Sequence, residues 1–328
     1  MTATGGHPAA HSSAERLISP TASGTPPARW RLLAAFAAVY LIWGSTYLAI
    51  RIAIETLPPF LMAAARFACA GSILYAWARL RGAPRPAPAA WRATGIIGGL
   101  LLLGGNGSVV WAEQSVPSGI AALMVAGVPL WMVLFDWMAP GGARPAPRTM
   151  VGLLLGLAGL AILVGPSALR GAGPVDPIGA AVLVVGSVSW AAGSIYARHA
   201  RLPDRPLLTT GMQMLVGALF LAVASVLLGE PGRVAWGGVS ARSALALLYL
   251  VVFGAIVAYS AYVWLLRNAT AARVSTYAFV NPLVAVLLGW GLANEPLTAQ
   301  TFTAAAVIVL GVALITLPAR GSRIRPGH

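Results

Sequence analysis

The chain has 328 residues, of which 58% are hydrophobic and only 9% are charged, whereas an ordinary soluble domain carries about 25% charged residues. That composition, with a mean hydropathy of +0.80, excludes a water-soluble monomer. The formal net charge is +14, from 22 basic residues, every one an Arg, less 8 acidic ones.

Residues 1–30 are rich in Ala, Ser, Thr, Gly and Pro without an apolar core, so they read as a disordered cytoplasmic tail and not as a signal peptide. Apolar runs then follow almost without a break. They lie near 32–51, 59–78, 93–112, 118–138, 149–166, 178–197, 207–228, 243–266, 273–293 and 299–317, each close to the roughly 20 residues a helix needs to cross a ~30 Å hydrocarbon layer. Residues 318–328 form a short basic tail. The expected fold class is therefore all-α: an integral membrane protein of ten transmembrane helices. Cys69 is the sole cysteine, which excludes a disulfide framework or a Cys-based metal site within one chain.

A pI near 11.4 fits a nucleic-acid partner in a soluble protein, but here the position of the Arg residues decides otherwise. With the N-terminus in the cytoplasm and the spans alternating, seventeen Arg fall on the cytoplasmic side, four (51, 170, 233 and 242) outside, and Arg66 within a span. That asymmetry is the positive-inside pattern. Both termini are expected in the cytoplasm and nucleic acid is excluded as a partner. Localisation is expected in the cell inner (plasma) membrane.

The second half of the chain shadows the first. At an offset of 147, Trp43, Arg51, Ala53, Pro59 and Leu61 fall on Trp190, Arg198, Ala200, Pro206 and Leu208. At an offset of 153, Val110, Trp111, Pro129, Leu130, Val133, Leu134 and Trp137 fall on Val263, Trp264, Pro282, Leu283, Val286, Leu287 and Trp290. Two five-helix repeats, 31–166 and 178–317, are expected. An odd number of spans per repeat inverts the second, which places a solute site near the midplane between halves that rock for alternating access. Pro129 and Pro282 are expected to interrupt corresponding helices and to act as hinges, or merely as packing kinks.

Ile42-Trp43-Gly44-Ser45-Thr46-Tyr47, Ile50-Arg51-Ile52 and Pro58-Pro59 resemble the drug/metabolite transporter superfamily, in particular its EamA-domain exporters. Gly105-Asn106-Gly107, Ala112-Glu113 and Val116-Pro117-Ser118-Gly119-Ile120-Ala121-Ala122 resemble the YedA-type branch of that family. The likeness covers about residues 32–317. It implies two EamA repeats and export of small organic metabolites or drugs from the cytoplasm. Asn294-Glu295-Pro296 resembles the family's acidic turn, whereas Gly141-Gly142-Ala143 has no counterpart acid.

Arg66 lies seven residues into the second span, ~10 Å deep at 1.5 Å per residue. An Arg in a span costs about 2.5–3.5 kcal/mol on insertion scales, so it is expected to face the bundle and to have a partner. Asn106 and Glu113, in the third span and two turns apart on one face, are expected to join Arg66 in a polar cluster. In that cluster Arg66 either binds an anionic group of a solute or makes a structural pair with Glu113. The repeat counterparts of Arg66, Asn106 and Glu113 are Gln213, Tyr259 and Leu266, so one wall of the cavity is expected to be charged and the other neutral. Trp43, Thr46, Tyr47, Trp111, Tyr196, Tyr262 and Trp264 are candidate lining residues, Trp111 and Trp264 being at least as well explained as interfacial anchors, and Asn281 is a candidate donor. Asp136 is expected to pair locally with Arg144 and Arg148, with a proton-relay role as the alternative. The glycines of Gly152-Leu-Leu-Leu-Gly156, with Gly159 and Gly311, read as a close-packing face. A monomer is expected, with a homodimer as the alternative.

An enzyme is disfavoured, since His7, His11, His199 and His328 lie in tails or a loop. Gly104-Gly105-Asn106-Gly107 is no phosphate loop, because the chain has no Lys and no strand precedes it. No cofactor is expected. Proton coupling through Glu113 or Asp136 and plain facilitated diffusion both fit, as do a channel or a non-transporting scaffold in place of a carrier, and, within the superfamily, an importer or exchanger of organic anions.

Overall fold

A computed structural model of the chain describes residues 28–116, 121, 124–142, 144–171, 176–293 and 298–316, and these are all-helical, without strands. In chain order the long helices are α1 (Arg29–Ala53), α2 (Pro59–Leu80), α3 (Pro88–Ala112), α4 (Val128–Met138), α5 (Pro147–Gly171), α6 (Pro177–His199), α7 (Pro206–Leu227), α8 (Ala241–Asn268), α9 (Tyr277–Ala293) and α10 (Ala299–Thr316). Seven of them, α1, α2, α3, α6, α7, α8 and α10, are long and apolar enough by length and composition to cross a membrane.

Local chemistry sets the ends. Pro59, Pro88, Pro177 and Pro206 open α2, α3, α6 and α7, where a missing N–H costs nothing and the fixed φ is already helical. Asp176 caps α6, accepting from the Ile178 N–H at 3.0 Å and from the Ser115 hydroxyl at 2.9 Å. The Ser115 bond, then the backbone donors, hold its carboxyl below the ordinary carboxylate range. Ser240 caps α8 through the Ser243 N–H. At the far end of α2, Gly82 adopts φ +78°, and the Ala83 N–H returns to the Ala78 carbonyl at 3.0 Å, closing the last turn in a left-handed cap that Gly alone makes without strain.

The surface is inverted relative to a soluble protein. Leu41, Leu48, Ile73, Val185, Leu219, Val226, Leu245 and Phe302 point outward, whereas Thr46, Arg66, Ser194, Thr209, Gln213 and Asn281 are buried. Some interior hydroxyls return to their own helix: Thr46 donates to the Trp43 carbonyl at 2.8 Å and Ser194 to that of Trp190 at 2.6 Å, which satisfies them without help from outside the bundle.

The helices pack in a regular scheme. α2 lies on α7, and α5 on α10; α1 lies on α8 and α9, and α6 on α3 and α4; α3 touches α7, and α2 touches α8. Small residues permit the closest approaches. A Cβ at Gly311 would meet the Gly152 carbonyl at 2.7 Å and the Gly156 nitrogen at 2.9 Å, so these glycines serve the α5–α10 contact inside the chain.

Two features depart from the expected helices. α3 is π-helical over Gly99–Gly107 and α8 over Leu250–Tyr259, corresponding stretches of the two halves. A π turn has poorer hydrogen-bond geometry than an α turn and recurs at functional sites. The expected ninth span, 273–293, is broken into Ala271–Ser275 and α9, with the Phe279 and Val280 N–H groups both reaching the Thr276 carbonyl. Pro282 is inside α9, and Pro129 stands in the first turn of α4, after a turn at Ala126 and Gly127 that separates α4 from the helical Met124 and Val125.

Candidate functional site

The site is a cavity with about 700 Å³ of empty space, its open mouth included. Its walls come from both halves. Trp43, Thr46, Tyr47 and Ile50 of α1, Arg66 and Phe67 of α2, Leu102, Gly105, Asn106 and Val109 of α3, Val125 ahead of α4 and Val128 of α4 form one side; Leu183, Gly186, Ser187 and Trp190 of α6, Tyr259 of α8, and Tyr277 and Asn281 of α9 form the other. The residues of α1 and α3 come from the C-terminal halves of their helices, and those of α2 and, Trp190 apart, of α6 from the N-terminal halves. The cavity therefore sits toward the end of the bundle where α1 finishes.

Its opposite end is closed by rings. Trp43 and Trp190, repeat counterparts, meet edge-on at 5.6 Å between centroids and 78°. Trp43 also packs on Tyr262 at 5.0 Å and on Tyr277 at 5.1 Å. The Tyr262 hydroxyl accepts from Trp190 Nε1 at 3.0 Å and shares a hydrogen with Ser194 at 2.6 Å. Rings of this size have few rotamers to lose, so they make a rigid floor. Beyond it, Arg198 donates to the Leu266 carbonyl at 2.9 Å and the Ala269 carbonyl at 2.6 Å, and its Nε lies 3.7 Å from Asp136. Asp136 thus reaches Arg198 of α6, on which α4 packs.

Arg66 is 3% exposed and lines the cavity, yet its Nε and Nη1 make no hydrogen bond. Its guanidinium lies 4.8 Å from the centroid of the Phe67 ring and rests against Gly254, where a Cβ would come within 2.7 Å of Nη2. Gly254 in turn offers its carbonyl to Trp43 Nε1 at 3.1 Å. Asn106, on the wall with Arg66, has a buried Oδ1 without a partner. Asn281, with its amide turned so that Nδ2 donates to the Tyr277 and Tyr40 carbonyls at 3.1 and 3.2 Å, also lines the cavity. Thr46, Tyr47 and Tyr259 do so as well.

Other candidates stand elsewhere. Gln213 is fully buried behind Tyr259, whose hydroxyl donates to its Oε1 at 3.3 Å; it is not among the lining residues. Tyr196 is 38% exposed and outside the cavity: it is two residues from the inward Ser194, so about 200° away around the helix. Glu113 does not complete the expected cluster with Arg66. Its oxygens are buried and unpartnered just past the end of α3, where the charged or polar groups that sense it are Arg51 and Tyr47. Arg66 Nε and Nη1 and both Glu113 oxygens are without a partner, so the structural Arg66–Glu113 pair is not made. Trp111 and Trp264 are half-buried away from the cavity. Pro117, Ser118, Gly119, Ile120, Ala122, Ala143, the Asn294-Glu295-Pro296 turn and both tails lie outside the described residues.

Gly254, Gly105 and Gly186 are the positions that sequence reading missed. A Cβ at Gly105 would fall 2.6 Å from the Trp190 ring and one at Gly186 2.5 Å from Ser108 Cβ, so their lack of a side chain sets the width of the cavity. Their place inside the π segments or opposite them is the only local hint.

The family model described as the EamA-like transporter family matches the chain twice, over residues 29–165 and 177–317. The chain is 42% identical over 287 residues to the uncharacterized inner membrane transporter YedA of Escherichia coli (strain K12), covering 87% of this chain and 90% of that one. It is 24% identical to the uncharacterized transporter YvbV of Bacillus subtilis (strain 168), over 91% and 95% of the two chains. A solved crystal structure of another protein, 25% identical, superposes with a TM-score of 0.70 over 88% of this chain and 97% of its own.

Proposed function

We propose, from the premise that the chain belongs to the EamA-like transporter family, that it is a secondary carrier which exports small organic solutes across the inner membrane by alternating access. The observation that carries this reading is the cavity itself, walled by both halves of the chain and floored by the counterpart pair Trp43 and Trp190.

On this reading ten helices span the bilayer as two inverted repeats, 31–166 and 178–317. The packing scheme supports it. Exchanging α1–α5 for α6–α10 turns the α1–α8 contact into α6–α3, α1–α9 into α6–α4 and α2–α8 into α7–α3, and leaves α2–α7 and α5–α10 unchanged. Inverted repeats alternate by exchanging the two conformations of their halves. With the Arg distribution setting both termini in the cytoplasm, the present cavity faces outward. Arg198 and the aromatic floor then close the cytoplasmic side. Arg51 is the repeat counterpart of Arg198, and Glu113 that of Leu266; Arg51 and Glu113 form the corresponding closure when the cavity faces inward. The cargo and the bilayer are the partners of a monomer, and Glu113 is the candidate for proton coupling.

Counterflow in proteoliposomes tests the carrier reading. A carrier gives saturable flux accelerated by unlabelled solute on the opposite side; flux that rises linearly with concentration and ignores the opposite side indicates a channel. Reporter fusions that locate the two termini on opposite sides of the membrane would refute the inverted repeat.

A further inference from the structure

The cavity carries a charge imbalance. Arg66 lines the cavity with a side chain that is almost wholly buried and whose Nε and Nη1 are unbonded, and no acidic residue stands among the described lining residues. The other polar lining groups, Thr46, Asn106, Ser187 and Asn281 among them, are neutral. Glu113, the nearest acid in sequence to the lining, is not itself a lining residue, and its buried oxygens have no hydrogen-bond partner. A buried charge of this kind is tolerated when paired and hydrogen-bonded, and the described protein residues provide neither.

From this juxtaposition we infer that the cargo is a monoanionic organic acid with a flat apolar body, its carboxylate held by Arg66 and its body lying between Trp43, Phe67 and Trp190. The inference rests on the carrier reading above and narrows its substrate class. Four points fix the chemistry. The planar guanidinium fork matches a carboxylate in two parallel hydrogen bonds, and Asn106, also in the lining, supplies an amide. A single cation balances one negative charge, so a phosphate dianion is left half-compensated in a low-dielectric site. An ammonium has no counter-charge here, so a zwitterionic amino acid brings a second charge that the lining does not meet. The aromatic walls offer ring faces and edges to a flat hydrocarbon at little entropic cost.

The test is equilibrium binding of a matched series to the purified protein in lipid nanodiscs at pH 7.5: 2-naphthoate, its neutral amide 2-naphthamide, 2-naphthylmethylamine, naphthylalanine and naphthyl phosphate. The naphthoate is expected to bind saturably, about ten- to a hundredfold more tightly than the amide, the advantage that hydrogen bonds to a charged partner carry. Arg66→Gln is expected to erase that ratio while leaving the amide's affinity in place, and Arg66→Lys to restore part of it. Equal affinity for acid and amide in the wild-type protein, absence of saturable naphthoate binding, or preference for the amine, the zwitterion or the phosphate overturns the assignment. The wild-type series decides even if the Arg66→Gln protein does not fold. Counterflow separates the two levels: a protein that exchanges naphthylalanine or the amine but not naphthoate is still a carrier, and only the anion assignment falls.

Discussion

Gly254→Ala isolates the positioning of Arg66 without touching its charge. The new Cβ would stand 2.7 Å from Arg66 Nη2, 3.4 Å from Cζ and 3.2 Å from Thr46 Cγ2, whereas unstrained heavy-atom contacts sit at about 3.5–4.0 Å. The guanidinium, backed by the Phe67 ring, must therefore move by about 1 Å, into the cavity. Because the clash falls on the far end of a side chain and not on backbone, the stability cost belongs at the low end of the ~1–3 kcal/mol seen for overpacking. Function is expected to suffer more, since a displacement of about 1 Å in a positioned group costs up to ~10²-fold. The assay is naphthoate binding and counterflow in wild type, Gly254→Ala, Arg66→Gln and the double variant. Gly254→Ala is expected to weaken binding about ten- to a hundredfold, with a melting temperature within a few degrees of wild type, and to add nothing in the Arg66→Gln background. Equal losses from Gly254→Ala with and without Arg66 would show that the glycine only packs helices, and the coupling argued here would be wrong.

Four further outcomes follow from the geometry. Glu230 is buried and accepts from the Phe60 and Leu61 N–H groups at 3.2 and 2.8 Å, capping α2 from the α7–α8 connection; Glu230→Ala is expected to lower stability by ~1–2 kcal/mol, read as a fall in melting temperature, and an unchanged value would show the cap to be idle. Arg198→Ala removes two carbonyl contacts and the Asp136 contact; in inside-out vesicles, a Cys placed at Ser194 in a Cys69→Ala background is expected to react several-fold faster with a charged thiol reagent, while no change would deny Arg198 a closing role. Asp136→Asn alone is expected to do much less, because the pair is 22% and 39% exposed and such surface pairs contribute about 0–1 kcal/mol. Glu113→Gln is expected to abolish any acceleration of solute flux by a pH gradient while leaving naphthoate binding intact, since Glu113 lies outside the lining; a pH-driven flux that survives the substitution removes Glu113 as the coupling group.

Much of the architecture was legible before any tertiary contact was known, for physical reasons that act locally along the chain. Run length against bilayer thickness marked the helices. The cost of an isolated Arg in hydrocarbon marked Arg66 as inward-facing, and counterpart positions such as Trp43 and Trp190 marked the doubling. What periodicity cannot supply is the identity of the neighbour. In a membrane protein lipid is as apolar as another helix, so an apolar pattern does not say which face meets protein: Tyr196 reads like Trp190 in sequence but points away from Ser194's face. Nor can spacing reveal a π segment, which shifts Asn106 and Tyr259 relative to an α register. Only the packing of α2 against α8 made Gly254 the support of Arg66, and only α4 against α6 gave Asp136 to Arg198. Residue chemistry along the chain thus determined what must be buried, and long-range helix contact decided what it is buried against.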